Sequence, residues 1–377
     1  MNQAHVQRLG VVGGGIAGLS AAWFGLSAGW SVDLFEPEAQ NENRRCASWA
    51  AAGMLAPVHE LEFQETDLLA CGLEALRLWH ELFRLPEFRH LAYPSGGYEV
   101  ALTSADTPWL RRQFEFQQAQ GLPVEWLERQ ALREALPALH PSITAAIHNS
   151  LDCQTDPRTA LQTLRTLCAR HPHFTLHEKS INGCSCSHAT ACLHASDGKS
   201  YEYQRVIMAT GCQEDQPLEL PYALRPIKGL MASLRPDAQV PIPAHIIRYR
   251  SQRHGTGYYA PKRERIIIGT TSEDRGFDRT VTLGGLTSVF QKALTVLPTL
   301  SELDVMEHWV GFRPSTADLK PVLLWESEAG ILHINGLYRH GILLGPFLAQ
   351  AAVRFLQEHT WPEVVRPFVR FERTAIH

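Results

Sequence analysis

Residues Leu9 to Glu36 read LGVVGGGIAGLSAAWFGLSAGWSVDLFE, and the fold is decided here. Leu9 to Val12 is a short apolar run that fits a buried parallel strand. Gly13, Gly15 and Gly18 supply G-x-G-x-x-G, Ile16 to Ala28 reads as a helix of small apolar residues, and Val32 to Phe35 is a second strand closed by Glu36. Strand, glycine turn, helix, strand and acid is the order of a dinucleotide fingerprint. Gly13 allows the tight turn, Gly15 admits a pyrophosphate close to the backbone, and Gly18 lets helix pack on strand. The N–H groups of Ile16 and Ala17 at the helix start then face the phosphates. Glu36 accepts hydrogen bonds from a ribose hydroxyl.

No charged residue occurs between Leu9 and Val32, so a signal anchor or membrane span is the competing reading. Seven glycines in that stretch, three of them consecutive, argue against it. A merely glycine-rich packing helix would leave Glu36 without a purpose.

The chain has 377 residues, enough for two domains, and its 45% apolar and 20% charged residues are ordinary for a globular protein. A net charge of −4 gives no reason to expect nucleic acid or an anionic membrane as partner. The apolar run 341–355 is interrupted by Gln350 and Arg354 and reads as an amphipathic helix. With no convincing signal peptide, the cytoplasm is the expected location. Eight cysteines are spread without a disulfide framework or paired C-x-x-C. Cys184 and Cys186, with His188 nearby, are too few ligands for a zinc site, so no metal is expected.

Beyond Glu36 comes a polar connection from Pro37 to Arg45. The segment Cys46 to Pro57 that follows is built of small residues. It suits either a flat, bulky neighbour such as a flavin ring or a tightly packed helix. Helices are expected over 67–85, 107–120, 128–134, 157–169 and 283–293, each from apolar residues at helical spacing or from its start signals. Tyr203 to Gly211 reads as an apolar strand running into a Thr-Gly turn. Residues 221–241 are proline-spaced and extended, 246–271 read as strands, and a helix to about Gln357 follows Pro346.

Six segments occur in a fixed order: the N-terminal fingerprint, SWAAAGMLAP (48–57), ATG (209–211), YYAPK with GTTSEDRGFD, WVGFRPSTAD (309–318) and GLYRHGILLGP (336–346). Together they resemble the D-amino-acid oxidase family of flavoproteins, in its glycine oxidase branch associated with thiamine biosynthesis. The resemblance runs essentially from end to end, and the two C-terminal segments carry most of its specificity.

The resemblance implies an α/β fold, with a glutathione-reductase-like (Rossmann-type) FAD-binding domain and an inserted antiparallel α+β substrate domain. The FAD domain is expected over 1–90, 150–220 and 325–377, and the substrate domain over 91–149 and 221–324. FAD would be held by Gly13, Gly15, Ile16, Ala17, Gly18, Glu36, Ser48, Gly53, Met54, Thr210, Gly211, Gly336, Arg339, His340, Gly341 and Ile342. Tyr258 would line the substrate pocket, Arg313 would grip the substrate carboxylate, and Arg339 would lie near substrate and flavin.

Chemistry gives these assignments reasons. A planar guanidinium holds a carboxylate through two parallel charge-assisted hydrogen bonds, fixing orientation as well as binding. Hydride transfer from the substrate Cα then needs a neutral amine and correct placement rather than a strong base. The implied reaction oxidises glycine, sarcosine or a D-amino acid to the imine, which hydrolyses, while O₂ becomes H₂O₂. Duller roles exist for each residue: Arg313 paired with Asp318, Arg339 on a backbone carbonyl, Tyr258 as a sheet-face aromatic, His340 as a packing histidine. Relative to the family, Leu337 and His340 stand where a histidine and an asparagine are common. Lys262 replaces an arginine, and Leu230 replaces a polar residue. These departures bear on which amine is used. A different amine, including one on a larger molecule, another electron acceptor, and a non-catalytic flavin protein are the competing functions. A homo-oligomer remains open.

Overall fold

Backbone pairing gathers the short apolar runs into two large sheets, each in its own compact unit. The computed structural model describes residues 7–37, 46–63, 65–187, 190–214, 218–251 and 255–371. Most of the polar connection after Pro37 and His188 lie outside the described residues.

The first unit comprises Met1–Trp49, Pro157–Ile227 and Phe312–His377. Its seven-stranded sheet runs in the order Val369–Phe371, Val322–Glu326, Ile331–Asn335, Arg205–Met208, Arg8–Val12, Ser31–Phe35, Phe174–His177. The last five of these pair in parallel, and Val322–Glu326 joins them antiparallel. Leu9, Val11, Val32, Ile207 and Leu332 are wholly buried, as a sheet covered on both faces requires. One cover is the meander Ile181–Ser187, Thr190–Ala195, Ser200–Tyr203, whose Ile181, Leu193 and Tyr203 pack on Val12, Val206 and Met208. Tyr203 lies so close over Gly10 that a Cβ there would fall 2.9 Å from its ring. Its hydroxyl donates to the Asp33 carboxylate at 2.8 Å.

Helices Ile16–Ser27 and Gly341–Glu358 pack on each other in this unit. Gly345 meets Ile16 and Ala17 at one end, and the Gln357 side chain donates to the Ala28 carbonyl at the other. The two helices therefore run side by side in the same direction. Gly341–Glu358 starts at Gly341, as expected from the apolar run 341–355, and not after Pro346. Pro346 is the sixth residue of this helix and has no N–H to give the Ile342 carbonyl, so one intrahelical bond is missing there.

The second unit comprises Ala50–Asp156 and Lys228–Gly311. The eight-stranded sheet runs Val305–Ser315, Arg225–Leu234, Ile266–Gly269, Gly255–Pro261, Ile246–Ser251, Gly97–Ala101, Ala145–Asn149, Val124–Glu128. Its pairs are antiparallel over the hairpins and parallel between Ile246–Ser251 and Gly97–Ala101. One face buries Val100, Ile247, Tyr249, Tyr259 and Ile268 under Val289, Ala293 and Val296 of helix Leu283–Val296 and under Leu132 and Leu136. Alternation puts Glu99, Arg248, Arg250 and Tyr258 on the other face.

Residues 50–90 pack with this second unit, whereas the sequence reading grouped them with the nucleotide-binding part. The reason is a set of long-range polar ties. Asp152, fully buried, accepts the backbone N–H groups of Val58 and His59 at 3.0 and 2.9 Å. Gln113 and Gln117 donate to the carbonyls of Leu61 and Val58, and Arg248 donates to that of His59. Val58, Leu61 and Leu69 complete the attachment by packing with Leu122. The other compact-unit boundaries, at 156/157, 227/228 and 311/312, also differ from those expected.

Candidate functional site

In the first unit, four adjacent parallel strands end at one edge of the sheet. Val12, Phe35 and Met208 are register partners there, and Met208 pairs with His333 of the fourth strand. The residues that follow are Gly13 to Gly18, Glu36, Ala209 to Gly211, and Gly336 to Ile342. In open α/β sheets, ligands bind in the crevice outside the carboxyl ends of such strands.

The glycine turn is packed so that side chains are excluded. A Cβ on Gly13 would lie 2.4 Å from the Ala209 carbonyl oxygen, and one on Gly18 would lie 1.9 Å from the Gly13 oxygen. Gly13 also has φ +105°, a conformation that favours glycine. Gly15 differs: its Cβ would meet only Ser48 Oγ, at 3.3 Å, so the backbone there is open to a ligand. Ser48 Oγ accepts the Ile16 N–H at 3.0 Å, which brings the expected Ser48 to the helix start. One Glu36 oxygen accepts the Gly14 N–H at 2.5 Å, tying the acid to the glycine turn.

Because the two helices are parallel and in contact, their N-termini lie at the same end. Neither has an acidic residue in its first turn. Each such end carries roughly half a positive charge, and two side by side favour an anion. A diphosphate and the electron-rich edge of a reduced flavin both answer to that need, so the residues present fit a flavin dinucleotide.

Three further segments close up beside this end. Asn335 Nδ2 donates to Gly211 O at 3.1 Å and lies 3.3 Å from Thr210 Oγ1, while its Oδ1 accepts the Gly336 N–H at 2.9 Å. The Cys212 thiol contacts the Phe312 carbonyl at 3.8 Å. Burial pushes that thiol up to about 12, which makes it a packing residue rather than a nucleophile. Ser315 forms an antiparallel bridge with Leu337. The segment bearing Arg313 and the turn bearing Arg339 are thereby held together, and both arginines are partly exposed. Tyr338, between them in the chain, takes φ +47°, and the Arg339 guanidinium lies 5.5 Å from its ring centre. His340 is buried at the start of the second helix. Asp318, the suggested partner of Arg313, receives Arg370 at 3.2 and 3.0 Å on its two oxygens.

The remaining expected residues belong to the second unit. Gly53, with φ +75°, leads into Met54–Leu55, a short strand paired with Cys153–Gln154. Thr155 donates its N–H to the Gly53 carbonyl at 2.9 Å. Tyr258 is 7% exposed and its ring covers its register partner Gly269, where a Cβ would fall 2.6 Å away. Lys262 follows the same strand directly and donates to Gln154 Oε1 at 2.7 Å.

The profile of the DAO family, FAD dependent oxidoreductase, matches residues 8–354. The chain belongs to this family. Its FAD is the group that the crevice of the first unit fits. The chain is 30% identical to a putative thiamine biosynthesis oxidoreductase ThiO of Rhizobium etli, over 94% of this chain and 98% of the relative. It is 27% identical to a bifunctional protein ThiO/ThiG of Trichormus variabilis, over 97% of this chain, and spans about half (55%) of that relative's length. Among solved structures, glycine oxidase from Geobacillus kaustophilus superposes with a TM-score of 0.84 at 25% identity, covering 98% of this chain and all (100%) of that one. The α/β architecture, with a largely parallel FAD-binding sheet and a mostly antiparallel second sheet, is the one shared with that enzyme.

Among the described residues no helix is long and apolar enough to cross a membrane, and no group of three or more histidine, cysteine or acidic residues is arranged to hold a metal. Sequence reasoning missed Asn335, Cys212 and Leu337 as organisers of the site. Only the motif neighbours of these residues are distinctive, and their partners, 124 residues away for Asn335 and 100 for Cys212, left no local signal.

Proposed function

We propose that this FAD-dependent oxidoreductase oxidises a small amino acid, with glycine or sarcosine first among the candidates, to the imine and passes the electrons to O₂. The observation that carries the reading is the Ser315–Leu337 bridge, which holds the segments of Arg313 and Arg339 side by side next to the Thr210–Gly211 turn. The names of the relatives, glycine oxidase and thiamine biosynthesis oxidoreductase, support the choice of substrate and a place in thiamine biosynthesis.

Bound FAD would supply the electron sink for oxidation of the amine-bearing carbon. The chain's own residues do the positioning. Arg313 grips the substrate carboxylate as a fork, which fixes the direction in which the Cα–H points. Arg339 would add positive charge beside it, and the family resemblance assigns Tyr258 to the substrate. Gly15, Ile16, Ala17 and Gly18 would hold the diphosphate at the first helix start, and Glu36 would hold the ribose. Ser48 organises that helix start through Ile16. Thr210, Gly211, Gly336, His340 and Ile342 would hold the ring system, and the family resemblance adds Gly53 and Met54. Gly341 and the helix it opens would favour negative charge on a bound flavin. The imine leaves and hydrolyses to the oxo acid, with ammonia released from glycine and methylamine from sarcosine.

A peroxide assay with glycine, sarcosine, D-alanine and D-proline tests the reading. Turnover is expected with at least one. Absence of peroxide with all four, together with anaerobic bleaching of the flavin by one of them, would replace O₂ by another acceptor. Absence of bleaching by any of them would end the small-amino-acid reading.

A further inference from the structure

Within the second unit, Met54–Leu55 and Cys153–Gln154 form a two-stranded ladder that joins neither large sheet. So short a ladder cannot hold itself, since even a full isolated hairpin is marginal in water. The Thr155 N–H adds one bond to the Gly53 carbonyl, and further ties come from the turn after strand Gly255–Pro261. Lys262, the first residue of that turn, donates through Nζ to Gln154 Oε1 at 2.7 Å. Its own N–H closes the turn on the Arg265 carbonyl, also at 2.7 Å. Arg265 Nη2 lies 2.9 Å from both oxygens of Asp156, two residues past Gln154. One turn thus grips the strand that pairs with Met54.

Gln154 is the register partner of Met54, so the two side chains share one face of the ladder. Gln154 is wholly buried and Lys262 is 6% exposed, whereas Met54 keeps part of its surface open. Without its donor the buried Gln154 oxygen would be desolvated and unpaired, so the side chain, and the ladder with it, would rearrange. Lys262 also stands four residues beyond Tyr258. Alternation puts the two on the same side of the strand, about 13 Å apart along it. The backbone that presents Tyr258 therefore also holds the partner of Met54, and it fixes the spacing between them.

We propose that Lys262 is a positioning residue: acting through Gln154, it holds Met54 at a set place relative to Tyr258 and so shapes the substrate side of the site. This rests on Met54 and Tyr258 belonging to that site, as proposed above. Neither Lys262 nor Gln154 needs to touch substrate or flavin.

Lys262→Met removes the donor and keeps the apolar stem, and Gln154→Leu breaks the same bond from the other side. In each holoenzyme, hydrogen exchange over residues 50–57 should quicken, because the ladder is released. The kcat/KM for the amino acid that turns over in the peroxide assay should fall about three- to ten-fold, the equivalent of one hydrogen bond. Met54→Ala should also lower kcat/KM and shift the flavin absorbance band. In the Met54→Ala background, Lys262→Met should cause no further loss, because its effect passes through Met54. A general packing defect would instead give the full further loss there, and that result overturns the proposal. Unchanged exchange over residues 50–57 in both Lys262→Met and Gln154→Leu overturns it as well. If exchange quickens but Met54→Ala leaves both kcat/KM and the flavin band as they were, the tie is real and the assignment of Met54 to the site has failed. Gln154→Leu leaves the Lys262 stem in place and tests the same bond even if Lys262→Met does not fold.

Discussion

Ser315 and Leu337 pair across an isolated antiparallel bridge. Arg313 stands two residues before the first and Arg339 two residues after the second, so the bridge sets both guanidinium groups on adjoining segments. Replacing Arg313 by leucine removes the fork and keeps an apolar stem. The KM for a carboxylate substrate should rise about 10- to 100-fold, the worth of one or two charge-assisted hydrogen bonds, with FAD still bound. An unchanged KM in steady-state peroxide assays would refute the clamp.

Gly18 has no tolerance for a side chain. A methyl group there would sit 1.9 Å from the Gly13 carbonyl oxygen, which is backbone and cannot rotate away. Gly18→Ala must therefore open the glycine turn or push the helix off the strand, at a cost of about 1–3 kcal/mol. The purified variant is expected to lose most of its flavin absorbance while remaining folded by circular dichroism. Full retention of FAD would show that the turn is not the diphosphate cradle.

The glycine turn was legible because every part of it is local: strand, turn, helix and acid lie within Leu9 to Glu36. Helix Pro157–Ala169 was placed correctly for the same reason, from the apolar period and the proline at its first position. The family resemblance likewise pointed to FAD and to the α/β architecture. Two things were not legible. Strands Val124–Glu128 and Ala145–Asn149 went unread, since Trp126 and His148 dilute any alternation and their pairing partners are distant. The attachment of residues 50–90 to the second unit depends on Asp152, Gln113, Gln117 and Arg248, each of which looks like an ordinary surface residue in sequence. Buried polar ties of this kind have no period to detect.

Asp152 carries that attachment. Its two oxygens take the N–H groups of Val58 and His59, and Asn149 Nδ2 also donates to it at 2.9 Å. Asp152→Ala would strand the two buried backbone donors of Val58 and His59. Unfolding free energy should fall by about 2–4 kcal/mol, measured by urea titration, because unmade buried hydrogen bonds cost their desolvation. A loss below about 0.5 kcal/mol, the ordinary range of surface substitutions, would show that water replaces the carboxylate there.

Lys262 gives the molecule a pH signature. Burial lowers its ammonium from the ordinary 10.5 to about 7, with Asp156 opposing the shift, while Nζ is held by Gln154. Between pH 7 and 10.5 the unfolded chain thus binds a proton that the folded chain does not, so stability rises with pH across that window and is lost as pH falls toward 7. Lys292 is lowered by burial as well and acts in the same direction. The upper limit comes from Cys71, Cys153 and Cys168, which burial pushes up to about 12 from 9.0; unfolded thiols ionise first and reverse the trend above pH 9. Urea titrations at pH 7 and pH 9 should therefore show a Lys262-dependent gain of about 2 kcal/mol, close to one proton over two pH units. Lys262→Met should reduce the slope by that amount and leave the smaller contribution of Lys292. An identical slope in the variant would mean that the Lys262 ammonium remains charged inside the fold.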